Sequence, residues 1–227
     1  MPRGYDNTWL NLQLLLDLQF REGSGSRYYD FAKPHHVVTG VGVPAWFVLP
    51  SDLYYLSFNS AIADYVTATS AATADLDFTT ESFSLAVWID PDLGGNRHLF
   101  TRGLTLQDGW NFYYNTNDAL SFYTSQAGLD QHTTGTTGEI IVGTWCLAGV
   151  TRSSATARIY CNGVESTTSY GTHVAPLTSA RNFYIGRADL GAGPYDGDMW
   201  RPRIWDRALS AAEMKSIFEM ERGFFGV

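Results

Sequence analysis

The sequence predicts an all-β sandwich or barrel, organised as one domain and closed by a short helix near the C-terminus. Three observations carry that reading. Short segments that alternate apolar and polar residues recur along almost all of the 227 residues, each closed by Gly, Asn, Asp or Ser, which is the pattern of half-buried strands. No helical periodicity separates these segments, so an alternating α/β arrangement is excluded. A single strong helix-start signal stands near the end. All-β sandwiches reach this length as one domain, and the expected division is an N-terminal arm over residues 1–13 followed by one domain over 14–227.

The elements follow in order. Leu14 to Phe20 opens the strand series, and Ala61 to Thr80, rich in Ala, Thr, Ser and Asp, reads as a polar strand followed by a loop. Phe83-Ser84-Leu85-Ala86-Val87-Trp88-Ile89 is the clearest strand, because side chains alternate and Phe83, Leu85, Val87 and Ile89 therefore share one face. Asn111 to Tyr114, Leu120 to Thr124, Gly143 to Thr151, Arg158 to Cys161, Phe183 to Ile185 and Arg201 to Trp205 are the remaining strands. Pro202 lies within the last of them and marks an edge or a bulge, since proline donates nothing to a ladder. If Thr151 and Thr156 flank a four-residue turn, Cys146 lies opposite Cys161 on an apolar face. A slip of two residues leaves them diagonal on that face, and two buried free thiols are favoured over a disulfide. In the helix, Ser210 and Glu213 have the spacing of a capping box, Leu209 and Met214 that of a hydrophobic staple, and Gly223 is placed to end it in a left-handed turn.

Composition excludes several functions. The 44% hydrophobic content suffices for a large core, and the 17% charged content is below the usual ~25%, so Ser, Thr, Asn and Gly must keep the surface polar. A net charge of −8 repels phosphate backbones and anionic lipid, which sets nucleic acid aside. No apolar run reaches about 18 residues, so no membrane-inserted helix is expected. Met1 to Asp6 lacks the basic and apolar regions of a signal peptide.

Several segments, taken in order, resemble the landmarks of the laminin-G-like family within the concanavalin-A-like lectin/glucanase superfamily. They are Leu16 to Gly25 with Asp30, Tyr55 to Asn59 with Tyr65-Val66, Phe83 to Ile89 with Pro91, Gly143-Thr144-Trp145, Tyr160-Cys161-Asn162-Gly163, Tyr184 to Arg187, Tyr195-Asp196-Gly197, and Arg203 to Glu213. The resemblance covers roughly residues 14 to 220. It implies a two-sheet antiparallel jelly roll, and it implies recognition ahead of catalysis. It also raises calcium as a cofactor held by Asp30, Asp196 and Asp198 at the sandwich rim, where loop carboxylates suit a hard cation. The acid after Gly197 is displaced by two positions from the family pattern, which weakens that site; Asp-stabilised turns are the simpler account.

No catalytic residues are assigned. Sandwich glycosidases project paired acids from alternate positions of one strand, whereas Asp75, Asp77 and Glu81 precede a strand and Asp196 with Asp198 fit turn chemistry. His35, His36, His98, His132 and His173 lack metal-ligand spacing. Sugars stack apolar faces on rings while amides and carboxylates read their hydroxyls. On that chemistry the ligand-binding candidates are Arg97, His98, Asp108, Trp110, Asn111 and Tyr195. For Trp110 binding and packing are equally supported, whereas Trp88, Trp145 and Trp205 fall at core strand positions.

The expected function is a non-catalytic recognition or structural module that engages glycan or neighbouring protein subunits. Without an export signal, the expected setting is a virion surface, as a decoration or fibre protein, with self-association as a homo-oligomer and an arm over Met1 to Gln13 ordered only on assembly. The rival is a secreted carbohydrate-binding or adhesin module, and behind it a divergent glycosidase or polysaccharide lyase.

Overall fold

Period-two alternation sorts the side chains of each strand into two sets, and here both sets of the central strands find a layer to pack against. A computed structural model describes residues 9–227. Its strands are β1 (Leu14–Asp17), β2 (Arg27–Tyr29), β3 (Val37–Val41), β4 (Ala45–Val48), β5 (Tyr54–Phe58), β6 (Tyr65–Ala68), β7 (Phe83–Pro91) and β8 (Arg97–Leu104). They continue as β9 (Asp108–Tyr114), β10 (Leu120–Gln126), β11 (Leu129–Thr134), β12 (Cys146–Ser153), β13 (Thr156–Cys161), β14 (Val164–Glu165), β15 (Phe183–Ile185) and β16 (Gly197–Trp205), and the helix α1 (Ala211–Glu221) follows.

These form two antiparallel sheets. The first runs β14-β13-β12-β7-β16-β5-β4, with β1 also paired to β16, and the second runs β11-β10-β9-β8-β15-β6-β3-β2. Phe83, Leu85, Val87 and Ile89 of β7 face the second sheet, where they meet a core that includes Phe100, Trp110, Phe112, Phe122, Phe183 and Ile185. Each such fully buried side chain contributes about 1.5–3 kcal/mol of transfer free energy. The fold is the two-sheet jelly-roll sandwich that the sequence predicts.

The opposite face of β7 carries Ala86 and Trp88, which join Trp145, Trp200, Trp205, Leu209, Met214 and Ile217 in a second apolar cluster beneath α1. Phe225, just beyond the helix, stacks on Trp88 with ring centroids 4.3 Å apart and on Trp145 at 4.5 Å. The capping box forms as the sequence predicts, with Ser210 Oγ accepting from the Glu213 N–H and Glu213 Oε2 accepting from the Ser210 N–H. Leu209 and Met214 are both buried. The helix end differs from expectation: it tightens into a 3-10 turn over Arg222–Phe224, and the left-handed glycine is Gly226 instead of Gly223.

Three further expectations meet the structure. β16 is flanked by partners, and Pro202 sits in a bulge between Trp200 and Arg203, where Arg201 takes a positive φ of 51°. β12 and β13 pair Ser153 with Thr156 and Ala148 with Cys161, so the turn is two residues long, the register is slipped by two, and Cys146 and Cys161 are free thiols diagonal to one another. The proposed arm falls partly on residues 1–8, which lie outside the described residues. Residues 9–13 rest on the domain, with Trp205 Nε1 donating to Leu10 O, Arg207 donating to Trp9 O and Leu12 O, and the Asp206 N–H donating to Gln13 O.

Candidate functional site

Covering one sheet with α1 leaves the outer face of the other available. Strand register assembles a row there from distant parts of the chain: His132 lies beside Tyr123, Tyr123 beside Asn111 and Asn111 beside Thr101. In the next row Ser121 lies beside Tyr113, and Tyr113 beside His98. A bulge between His98 and Phe100 turns the His98 ring outward while Leu99 and Phe100 both enter the core. The resulting cleft has a volume of about 390 Å³ and is lined by His98, Tyr113, Tyr123 and His132 on its floor, with Asn96, Asn115, Thr105 and Asp189 around it.

The floor is held in place by polar and ring contacts. His98 stacks on Tyr113 with centroids 5.3 Å apart and an interplanar angle of 20°. Its Nδ1 pairs with Asn111 Oδ1 at 2.9 Å, and Asn111 Nδ2 donates to the Tyr123 hydroxyl at 3.0 Å. Tyr123 in turn packs against Tyr113 and His132. Burial lowers the pKa of His98 and outweighs the Asn111 hydrogen bond; burial also lowers that of His132, against the raising influence of Asp130. Both imidazoles are therefore neutral at pH 7, and because His98 donates its Nδ1–H to Asn111 Oδ1, its Nε2 is an acceptor.

One wall is the segment Ala188–Gly193. Arg181 donates to the Asp189 carboxylate and to Asp108, and the His98 N–H donates to Gly193 O at 3.0 Å. Only glycine fits at position 193, because its φ is +49° and a Cβ there would lie 2.4 Å from the His98 ring. The wall closes on the imidazole for that reason.

Of the sequence-derived ligand set, His98 lines the cleft, and Asn111 is buried behind it, bonded to His98 and Tyr123. Asp108 lies behind the wall, where it accepts from the Leu104 N–H and Arg181, and Arg97 donates to Pro194 O. Trp110 and Tyr195 are corrected: both are fully buried in the inter-sheet core. Trp110 packs against Phe78 and Phe83 and donates to Leu76 O, and the Tyr195 hydroxyl donates to Asp198 O, so no ring face remains for a sugar. Sequence reasoning missed Tyr113, Tyr123, His132, Asn115 and Asp189. The alternation Trp110-in, Asn111-out, Phe112-in, Tyr113-out held a signal for Tyr113.

The proposed calcium ligands are not brought into one set. Asp30 accepts from the backbone N–H groups of Asp17, Ala32 and His36 and pairs with His36 Nδ1, which occupies both of its oxygens. Asp196 accepts from the Ser60 N–H and hydroxyl. Asp198 lies opposite Asp90 across the β16–β7 ladder. Among the described residues no group of three or more His, Cys, Asp or Glu side chains is arranged to hold a metal ion.

Asp90 and Asp198 bear on catalysis. Burial and then the charge of Asp92 push Asp90 up to about 6, and burial does the same for Asp198, assisted by Asp92 and Asp90 against hydrogen bonds from Ser57 and Tyr55. Neither lines the cleft. Because the folded pKa lies above that of a free carboxyl, ionisation of Asp90 costs the fold stability above about pH 6. Asp90→Asn should therefore stabilise the protein at pH 7 by about 1–2 kcal/mol after allowance for solvent screening. Urea unfolding checks this: the gain should shrink as pH falls from about 6 to 4, and a gain that persists at pH 4 would assign it to something other than charge.

Residues 61–215 match the family model described as the concanavalin A-like lectin/glucanases superfamily. No curated protein matches the sequence. Among solved structures, the binding domain of Paraclostridial Mosquitocidal Protein 1 superposes with a TM-score of 0.72 at 14% identity, covering 94% of this chain and 55% of that one. The binding domain of botulinum neurotoxin DC, solved in complex with rat synaptotagmin II, gives a TM-score of 0.67 at 15% identity, with 92% and 52% covered. A botulinum neurotoxin type C structure, from a toxin whose cell entry depends on interaction with two ganglioside molecules, gives 0.67 at 16% identity, with 92% and 51% covered. The chain thus spans about half the length of these solved chains, and the likeness is one of fold.

Proposed function

The chain belongs to the concanavalin A-like lectin/glucanases superfamily, and from that premise we propose that it is a non-catalytic recognition module that holds carbohydrate in the cleft floored by His98, Tyr113 and Tyr123. The observation that carries this reading is the combination in one cleft of stacked rings with hydrogen-bonding groups supplied by two neutral imidazoles and the Asn96 and Asn115 amides. A pyranose presents the complementary chemistry, an apolar C–H face ringed by hydroxyls. Ganglioside and protein partners of the toxin domains support recognition of glycan or protein as the kind of task to expect from this fold. The paired acids Asp90 and Asp198 lie outside the cleft, and the carboxylates near it are engaged, Asp189 by Arg181 and Asp130 by Thr105, Ser125 and the Leu106 N–H.

Tyr113→Ala removes one ring while leaving the core side of β9 intact. It should lower affinity for a glycan found by array screening by about tenfold or more, with the far-UV circular dichroism unchanged. Unaltered affinity would place the sugar elsewhere on the surface. The setting we propose is the exterior of a virion, as a decoration or fibre protein that engages glycan or neighbouring subunits. No described helix is long and apolar enough to cross a membrane. Mass spectrometry of purified particles checks this setting: recovery of the chain in stoichiometric amount supports it, and absence overturns it in favour of a secreted adhesin module.

A further inference from the structure

We infer that the cleft takes an uncharged sugar and discriminates against sialylated, sulfated or uronic-acid-containing glycans. The inference rests on the proposed binding role and narrows it to a ligand class. Its basis is the inventory of charge around the cleft. Among the described residues lining it there is no Lys or Arg, and the one charged side chain is the Asp189 carboxylate. Cations close by are engaged elsewhere. Arg181 is held between Asp189 and Asp108. Arg187 lies over the Tyr65 ring at 3.8 Å and the Tyr184 ring at 4.8 Å.

A second carboxylate stands behind two of the lining residues, Thr105 and His132. Asp130 accepts from Thr105 Oγ1, Ser125 Oγ and the Leu106 N–H, and it lies 3.9 Å from His132 Nε2. An acidic glycan placed on the tyrosines would bring its carboxylate or sulfate toward these fixed negative groups and lose hydration without gaining a cation. A like charge placed this way is repelled, and the acid's own desolvation adds to the loss. A neutral sugar meets neither penalty. Burial holds the His98 and His132 rings in the unprotonated form at pH 7; with its Nδ1–H given to Asn111 Oδ1, His98 keeps Nε2 as an acceptor, and His132 adds a second neutral imidazole.

The experiment is an array of matched neutral, sialylated and sulfated glycans probed at pH 7 with the full chain, Tyr113→Ala and Asp189→Asn. The neutral member of each bound pair should exceed its acidic partner by about tenfold, equivalent to about 1.4 kcal/mol. Asp189→Asn removes the lining carboxylate and releases one arm of Arg181, so the gap should narrow. Acidic members that bind best, with signal lost in Tyr113→Ala, would overturn the inference and leave the cleft assignment standing. Binding indifferent to Tyr113→Ala, or no binding to any glycan, would overturn the cleft assignment itself.

Discussion

Glu221→Ala should cost about 3–5 kcal/mol of folding stability, the range for breaking a buried ion pair by removing one partner. Glu221 is at the last position of α1 and is 3% exposed. Its Oε1 accepts from Arg201 Nη1 and Arg203 Nη1, both at 2.8 Å, and its Oε2 accepts from Arg203 Nη2 at 2.7 Å and from Trp88 Nε1 at 2.9 Å. Arg203 is fully buried, and burial lowers its pKa while Glu221 opposes that shift. Removal of the carboxylate therefore strands a guanidinium and an indole N–H away from water.

The loss falls on the attachment of α1 to the first sheet, because the same carboxylate joins the helix to β7 and β16. Out of a total stability of roughly 5–15 kcal/mol for a domain, it is a large share. Glu221→Met combined with Arg203→Met removes the stranded guanidinium and should recover part of the loss, since apolar replacement of a buried pair is often near neutral while the Trp88 N–H still lacks the Glu221 acceptor. A double-mutant cycle by urea unfolding checks both statements. A single-variant loss below about 1 kcal/mol would mean that water reaches the stranded cation.

Sequence patterning made the sandwich legible because alternation directly reports which side of a strand is buried. β7 shows it without ambiguity, and β15 falls on its expected residues. The short edge strands β2, β4, β11 and β14, and β3 beside the edge, were less legible from alternation, since strands at a sheet margin are partly exposed on both faces and their pattern is diluted. α1 was legible from its cap, which is a local hydrogen-bond exchange between Ser210 and Glu213. Its end was not, because a 3-10 turn set by Phe224 and Phe225 docking on Trp88, Trp145 and Trp200 is a tertiary effect. The register of β12 and β13 depended on turn length, which two threonines did not specify.

Site residues were legible only where one strand contained them. Asn111 and His98 carried polar chemistry on the outward side of aromatic-rich strands; His98 lines the cleft and Asn111 holds the His98 and Tyr123 side chains from below. Trp110 has the composition of a sugar platform, yet it occupies the inward position between Gly109 and Asn111. One step of register decides between core and surface, and residue type alone does not reveal that step. Tyr123 and His132 join the site through lateral pairing across β9, β10 and β11, a relation between segments that no local window contains.

Two buried histidines should give the stability a pH dependence of opposite sign on either side of neutrality. His173 is fully buried, with Nδ1 2.9 Å from Thr124 Oγ1 and Nε2 2.8 Å from Thr133 Oγ1. Thr124 Oγ1 donates to Gln131 Oε1, so its lone pair receives the Nδ1 proton and Nε2 is left to accept from Thr133. Burial, reinforced by the charge of Arg152 and by His132, lowers the His173 pKa to about 3. Below about pH 6.5 the unfolded chain takes up a proton that the fold refuses, so this residue withdraws stability as pH falls, by about 3 kcal/mol at pH 4.5.

His36 behaves in reverse. Burial acts to lower its pKa, but hydrogen bonds to Asp30 and Asp75, together with their charges, outweigh burial and raise it to about 9. Its folded pKa exceeds the unfolded one, so its contribution of about 3 kcal/mol is complete below pH 6.5 and is lost as pH rises to 9. Asp90 and Asp198 add stability as pH falls from about 6 to 4 and partly mask His173 in the unmodified protein, which is why variants must isolate each group. Relative to the parent, His173→Gln should gain about 3 kcal/mol between pH 7 and 4.5, and His36→Gln should gain about as much between pH 7 and 10. Parallel pH profiles for parent and His173→Gln would show that the ring takes a proton in the folded state, with Thr124 and Thr133 both turning to accept from it.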